Sequence, residues 1–191
     1  MNTKIPFDNL SFSLLNGDVE VSLFQCREPD LTEFLIEDAL ENQAARLSVT
    51  RIVSYEGQVA GFFPLTNDCI IRKCVSDDDG EEWHPYPHYP ALKIARLATH
   101  QAFEGRGIGR AMLLKTVAIA MRLSQYVGCR MITVDAKPDS EGFYLKYGFQ
   151  KTLMKKKNDT IPLYRDFYRS YQEAEKGMSP PLSVFDGGGR R

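Results

Sequence analysis

The sequence predicts an α/β fold, a mixed central sheet flanked by helices. Three observations predict it. Short alternating or apolar runs, suited to strands, interchange with segments of helical period along the 191 residues. A strand–helix–strand–helix order occupies residues 92–147. The composition is that of an ordinary globular chain, with 43% hydrophobic and 26% charged residues. A chain of this length buries a core without staples. Residues 1–170 read as one domain and 171–191, which close on Gly187-Gly188-Gly189-Arg190-Arg191, as a flexible tail.

Each element has its own signal. Residues 7–26 hold two alternating runs around Asn16-Gly17-Asp18, which predicts a hairpin because Asn-Gly tolerates positive φ. Pro29 followed by Asp30 and Glu33 marks a helix start, and Leu31, Phe34, Leu35 and Ala39 give that helix an apolar face. Residues 49–65 form a second hairpin turning at Glu56-Gly57, with 69–75 extending it as a strand. Residues 76–90 combine an acidic turn with a Pro- and aromatic-rich stretch and read as a long loop, whose aromatic part 83–90 is a lid or wall over the acceptor site or a packing element. Residues 92–99 read as a buried strand and 107–127 as a long amphipathic helix with Gly128 at its end. Residues 130–135 form a strand, 138–147 a short helix stopped by Gly148, and 149–154 and 161–167 two last strands.

Charge and cysteine usage exclude some classes. The 24 basic and 25 acidic residues leave a net charge of −1, so no global field draws the chain to nucleic acid or to an anionic membrane. No apolar run approaches the roughly 18 residues of a membrane span. The first residues carry no basic-then-apolar leader, and Cys26, Cys69, Cys74 and Cys129 are irregularly spaced. The expectation is a reduced, cytoplasmic protein with no metal. Cys69 and Cys74 beside His84 and His88 have the wrong spacing for a zinc site. Lys151 and Lys155-Lys156-Lys157 form the one basic run on which an RNA contact would depend; a solvated turn is the plainer reading.

Chemistry concentrates in two places. Glu104-Gly105-Arg106-Gly107-Ile108-Gly109-Arg110 lies between a predicted strand and a long helix. Glycines allow close backbone approach, and the following helix start offers free N–H groups to a pyrophosphate. No Gly-Lys-Ser/Thr follows, so the segment is not a nucleotide P-loop. Further on stands Phe143-Tyr144-Leu145-Lys146-Tyr147-Gly148-Phe149. With both segments in this order, the sequence resembles the GNAT superfamily of acetyl-coenzyme A-dependent N-acetyltransferases. That family carries Q/R-x-x-G-x-G/A after its fourth strand and a later F-Y-x-x-x-G-F helix end. The resemblance covers about residues 92–152.

The resemblance implies a GNAT fold and direct transfer of an acetyl group from acetyl-CoA to a primary amine. It implies that backbone groups of Leu97, Ala98 and Thr99 hold the pantetheine arm, with the Ala98 N–H facing the thioester oxygen. Residues 104–110 would hold the pyrophosphate, Phe143 would flank the coenzyme, and Tyr144 would protonate the leaving thiolate. Glu104 departs from the family's Gln or Arg; its carboxylate is expected to turn outward, leaving backbone amides and Arg106 or Arg110 to meet phosphate. The base stays open among His100, Asp135, Glu141 and water. More loosely, Phe24-Gln25-Cys26, the 31–35 run, Asp38-Ala39 and Gln43 resemble the toxin branch that acetylates aminoacyl-tRNA. The acceptor is then a small molecule, a protein or an aminoacyl-tRNA. An antitoxin partner goes with the toxin reading, and dimers are common in the family. A non-catalytic acyl-CoA-binding module is the alternative of a different class.

Overall fold

The computed structural model describes residues 3–153 and 159–169. In chain order the elements are β1 (Ser11–Leu14), α1 (Pro29–Glu33), a π-helical turn (Phe34–Asp38), α2 (Ala39–Ala44), β2 (Val49–Tyr55) and β3 (Gln58–Ile71). Then follow β4 (His88–Ile94), β5 (Ala98–Thr99), α3 (Ile108–Leu123), β6 (Met131–Ala136), α4 (Glu141–Lys146), β7 (Gln150–Lys151) and β8 (Ile161–Asp166). The class is α/β, with a mixed sheet and flanking helices, as the sequence predicts. Two compact units divide the chain, Met1–Asp68 with Leu92–Thr116, and Cys69–Ala91 with Val117–Arg191. The tail 171–191 and Lys155 to Lys157 lie outside the described residues.

In the first unit β1 pairs antiparallel with β2, and β2 with β3. The β2–β3 turn forms at Glu56 and Gly57, both at positive φ (49° and 79°), as a two-residue hairpin requires. Alternation along these strands puts Ile52 and Phe62 on one face, packed with Phe24, Phe34, Leu35 and Ala39 from the preceding segments. Phe62 meets Phe24 edge-on at 5.3 Å between centroids and stacks on Phe34 at 6.1 Å. Pro29 occupies the first turn of α1, where its missing N–H costs nothing. Gln43 ties α2 to the strands: its Nε2 donates to Leu15 O and its Oε1 accepts from Thr50 N.

The expected hairpin at 7–26 does not form. Asn16 does make its turn, with Oδ1 accepting from Asp18 N at 3.1 Å, but no strand follows it. Leu15 and Phe24 are buried in the cluster under Phe62, and β1 takes β2 as its partner instead. Tertiary burial thus overrides the local turn signal.

In the second unit β8 lies between β6 and β7, antiparallel to both. Ile70, Cys74, Val75, Tyr89, Ala91, Met131 and Tyr164 form its core. The 76–90 loop is built rather than loose, and its last residues, from His88, already belong to β4. The Tyr89 hydroxyl accepts from Glu81 N and donates to Glu81 O. The Arg72 guanidinium donates to the His84 and Glu82 carbonyls at 2.6 and 2.9 Å. Arg130 clasps Asp166 through Nε and Nη2, Glu81 through Nη1, and Gly80 O. Trp83 and Tyr86 stay exposed. His84 Nε2 lies 3.0 Å from His88 O, and the His84 ring stacks on Tyr89. Among the described residues no three His, Cys, Asp or Glu side chains group to hold a metal, and no helix is long and apolar enough to cross a membrane.

Two substitutions test these supports. An added Cβ at Gly61 would stand 2.8 Å from Ala98 O. Gly61→Ala is therefore expected to cost about 1–3 kcal/mol in urea denaturation, and an unchanged midpoint would show that β5 is not held as described. The Asp166 side chain is 1% exposed. Asp166→Ala leaves Arg130 with Glu81 as its remaining carboxylate and takes the acceptor from the Gly80, Tyr168 and Arg169 N–H groups, and is expected to cost about 3–5 kcal/mol; a loss under 1 kcal/mol would contradict that role for the pair.

Candidate active site

The first unit carries the glycine loop and the strand before it. The expected single strand 92–99 is interrupted: β4 stops at Ile94 and β5 resumes at Ala98. Pro64 accounts for the break. Its carbonyl accepts from Ala95 N at 3.0 Å, but proline has no N–H to return. The ladder fails on that side, and residues 95–97 leave it. Three residues earlier in β3, Gly61 has no side chain, so β5 lies against it with Gly61 opposite Thr99 and Phe62 opposite Ala98. Ala98 is buried, while Leu97 and Thr99 are half-buried.

A short 3-10 turn, Gln101–Phe103, leads into the loop. Gly105 and Gly107 take positive φ (73° and 95°), which other residues adopt only under strain. The first bond of α3 runs from Ala111 N to Gly107 O. The N–H groups of Ile108, Gly109 and Arg110 therefore precede the helical ladder. A Cβ built at Gly107 would meet no atom within 4 Å, so open space adjoins the backbone where an anion would lie. This loop geometry fits a pyrophosphate. Ile108 is buried, Gly109 half-buried, and Arg110 exposed.

The side chains around the loop are placed differently from one another. Glu104 turns to Arg27, whose Nη2 donates to Oε2 at 2.8 Å, so its carboxylate is matched with a cation. Arg106 is committed to structure. Its Nε donates to Thr3 O at 3.3 Å, its guanidinium lies over Tyr55 and Phe103 at 5.3 and 5.6 Å, and its carbonyl accepts from Ile5 N. Arg110 is thus the better placed of the two arginines for phosphate. His100 is committed as well. Its Nδ1 accepts from Ala102 N and its Nε2 faces Leu23 O at 3.4 Å. Its ring packs edge-on to Phe24. The neutral ring therefore carries its proton on Nε2.

The second unit carries Tyr144, and the motif around it is a helix C-cap. Gly148 N donates to Leu145 O at 3.1 Å and Phe149 N to Tyr144 O at 3.2 Å, with Gly148 at φ 79°. These are the two bonds of a Schellman motif. The motif also asks for an apolar contact across the cap, and the Tyr144 and Phe149 rings supply it at 5.3 Å. Thus the spacing of Tyr144, Gly148 and Phe149 is one device that stops α4 and pins the tyrosine. Phe143 is half-buried and stacks edge-on against Tyr144 at 5.1 Å. Tyr144 is 5% exposed, and burial raises its hydroxyl well above the ordinary phenol value. Glu141 pairs with Lys151 at 2.7 Å, which spends both on each other.

Sequence reading missed Pro64, Gly61 and the clamp from residues 3–5. A Gly-x-x-Pro inside an otherwise strand-like run was a usable signal for the first two. Nothing local marks residues 3–5, whose contact lies about a hundred residues away.

The family model of the acetyltransferase (GNAT) domain matches residues 50–151, over half of the chain. A tRNA-acetylating toxin of Mycobacterium tuberculosis (strain ATCC 25618 / H37Rv) is 27% identical over 133 residues, 69% of this chain and 78% of that protein. Among solved structures, AtaT complexed with acetyl-methionyl-tRNAfMet is similar with a TM-score of 0.78 at 20% identity, covering 86% of this chain and 98% of that one. A mutant AtaT toxin bound to the C-terminus of the antitoxin AtaR and acetyl-CoA gives 0.70 at 20% identity, covering 87% and 98%. These last two likenesses show the fold. Taken with the glycine loop and the capped tyrosine helix, the family match has one consequence: the chain belongs to the acetyltransferase (GNAT) family.

Proposed function

We propose that this acetyltransferase uses acetyl-CoA to acetylate the α-amino group of an aminoacyl-tRNA, as a toxin-type enzyme in the cytoplasm. The donor supplies an acetyl group activated as a thioester. The amides of Ile108, Gly109 and Arg110, with the Arg110 side chain, hold its pyrophosphate charge. The backbone of Leu97, Ala98 and Thr99 holds the pantetheine arm; the Ala98 N–H is turned to Phe62 in the β3–β5 pairing, so a neighbouring N–H that points away from β3, that of Thr99, stabilises negative charge on the acetyl oxygen. Glu104, Gly105, Arg106, Gly107 and Gly109 shape the loop, and Phe143 flanks the coenzyme. Tyr144 gives its proton to the coenzyme sulfur as the thiol leaves.

The carrying observation is the buried, capped Tyr144. Its raised pKa keeps the hydroxyl protonated throughout the physiological range, which suits an acid and not a base. A second observation favours the acceptor. Two of the three candidate bases, His100 and Glu141, are engaged elsewhere. A lysine amine with a pKa of about 10.4 would need a strong base, whereas an α-amine titrates near 8 and is partly neutral without one. The likeness to a tRNA-acetylating toxin supports the same acceptor. An antitoxin chain is the partner that goes with this reading.

Tyr144→Phe keeps the ring in its cap and removes only the hydroxyl that carries the proton. Turnover on aminoacyl-tRNA, followed as free thiol, is expected to fall about 10²–10⁴-fold with acetyl-CoA binding unchanged. Expression of the wild type is expected to arrest growth and the variant to relieve it. Undiminished turnover removes Tyr144 from the mechanism, and normal growth with active soluble enzyme removes the toxin reading.

A further inference from the structure

Two guanidiniums in the second unit have opposite surroundings. Arg130 is met by Asp166, Glu81 and the Gly80 carbonyl. Arg165 stands one residue before Asp166 on β8, yet its Nε is sealed from solvent with no acceptor among the described residues. Burial lowers the pKa of its guanidinium, with no carboxylate among the described residues to offset it. A partly buried cation without a partner is costly, and such a group persists where a ligand supplies the missing charge.

Its position says which ligand. The guanidinium lies against Gly148, where an added Cβ would be 3.6 Å from Nε and 3.8 Å from Cζ. Gly148 caps the helix that carries Tyr144, and the cap already uses the Leu145 and Tyr144 carbonyls through Gly148 N and Phe149 N. Arg165 is therefore not a helix-end ligand. The planar fork of arginine matches a phosphate. Of the basic run expected to meet RNA, Lys151 is described and pairs with Glu141, and Lys155 to Lys157 lie outside the described residues.

We infer that Arg165 binds a backbone phosphate near the 3′ end of the acceptor tRNA, and so places the aminoacyl group by the helix of Tyr144. This rests on the aminoacyl-tRNA reading above. Arg165 acts as a positioning residue and takes no part in proton transfer.

The test measures four quantities for wild type, Arg165→Gln, Arg165→Lys and Arg165→Met. They are the KM for aminoacyl-tRNA, the KM for acetyl-CoA, the salt dependence of binding to deacylated tRNA, and Tm. For Arg165→Gln the KM for aminoacyl-tRNA is expected to rise about ten-fold, one charged hydrogen-bond contact, with the acetyl-CoA KM unchanged. The slope of log K against log salt is expected to shrink by about 0.7, the value for one single-strand phosphate. Arg165→Lys restores part of the binding. Arg165→Met raises Tm, because it removes an unpaired charge, whereas a merely structural arginine would lower it. An unchanged tRNA KM and salt slope overturn the inference. A rise confined to acetyl-CoA assigns the phosphate to the coenzyme and overturns it too, as does a fall in Tm with parallel loss of both substrates. A wild type that neither binds nor acetylates tRNA overturns the aminoacyl-tRNA reading and this inference together.

Discussion

Pro64 cannot donate a hydrogen bond, and the site's architecture in the first unit follows from that missing donor. Its carbonyl holds Ala95, the ladder then fails, and the chain leaves β3 for three residues before β5 returns at Ala98. Gly61 allows the return, because only a residue without Cβ tolerates the Ala98 carbonyl that close. An unbroken ladder would turn alternate backbone donors along 95–99 to β3 in a regular strand. The interruption frees backbone for a ligand while the flanking pairs keep it in place.

Backbone groups at helix ends do the rest. Gly107 starts α3 at positive φ, with open space on its Cα side, and leaves three amides ahead of the ladder. Gly148 ends α4 at positive φ and closes a cap that fixes Tyr144 against Phe149. Both signature glycines are thus read by conformation rather than by chemistry. The side chains nearby serve to brace: Arg106 over Tyr55 and Phe103, His100 on Ala102, Glu104 on Arg27. This division explains why Glu104 is tolerated where the family has Gln or Arg.

What the sequence showed, it showed through local rules. The Glu56-Gly57 hairpin, the α3 start after Gly107 and the α4 stop at Gly148 were all legible from turn and cap chemistry. The Asn16-Gly17 signal was equally strong and misled, because Leu15 and Phe24 are claimed by a core that no local window contains. The 76–90 loop read as a lid or wall or as a packing element; it is held by Arg72 and Arg130, which reach it from outside the loop. Arg165 had no signal at all. An orphaned cation is defined by what surrounds it, and that is visible only once β8 and the α4 cap are in place.

The central claim is that the acetyl group goes to the α-amine of an aminoacyl-tRNA. Its most direct measurement is mass spectrometry of the amino acid released by mild alkaline hydrolysis after incubating the enzyme, acetyl-CoA and a charged tRNA. The account predicts a mass increase of one acetyl group on the α-nitrogen, absent without enzyme. An unmodified amino acid, with the acetyl group found on another amine in the same mixture, would contradict it.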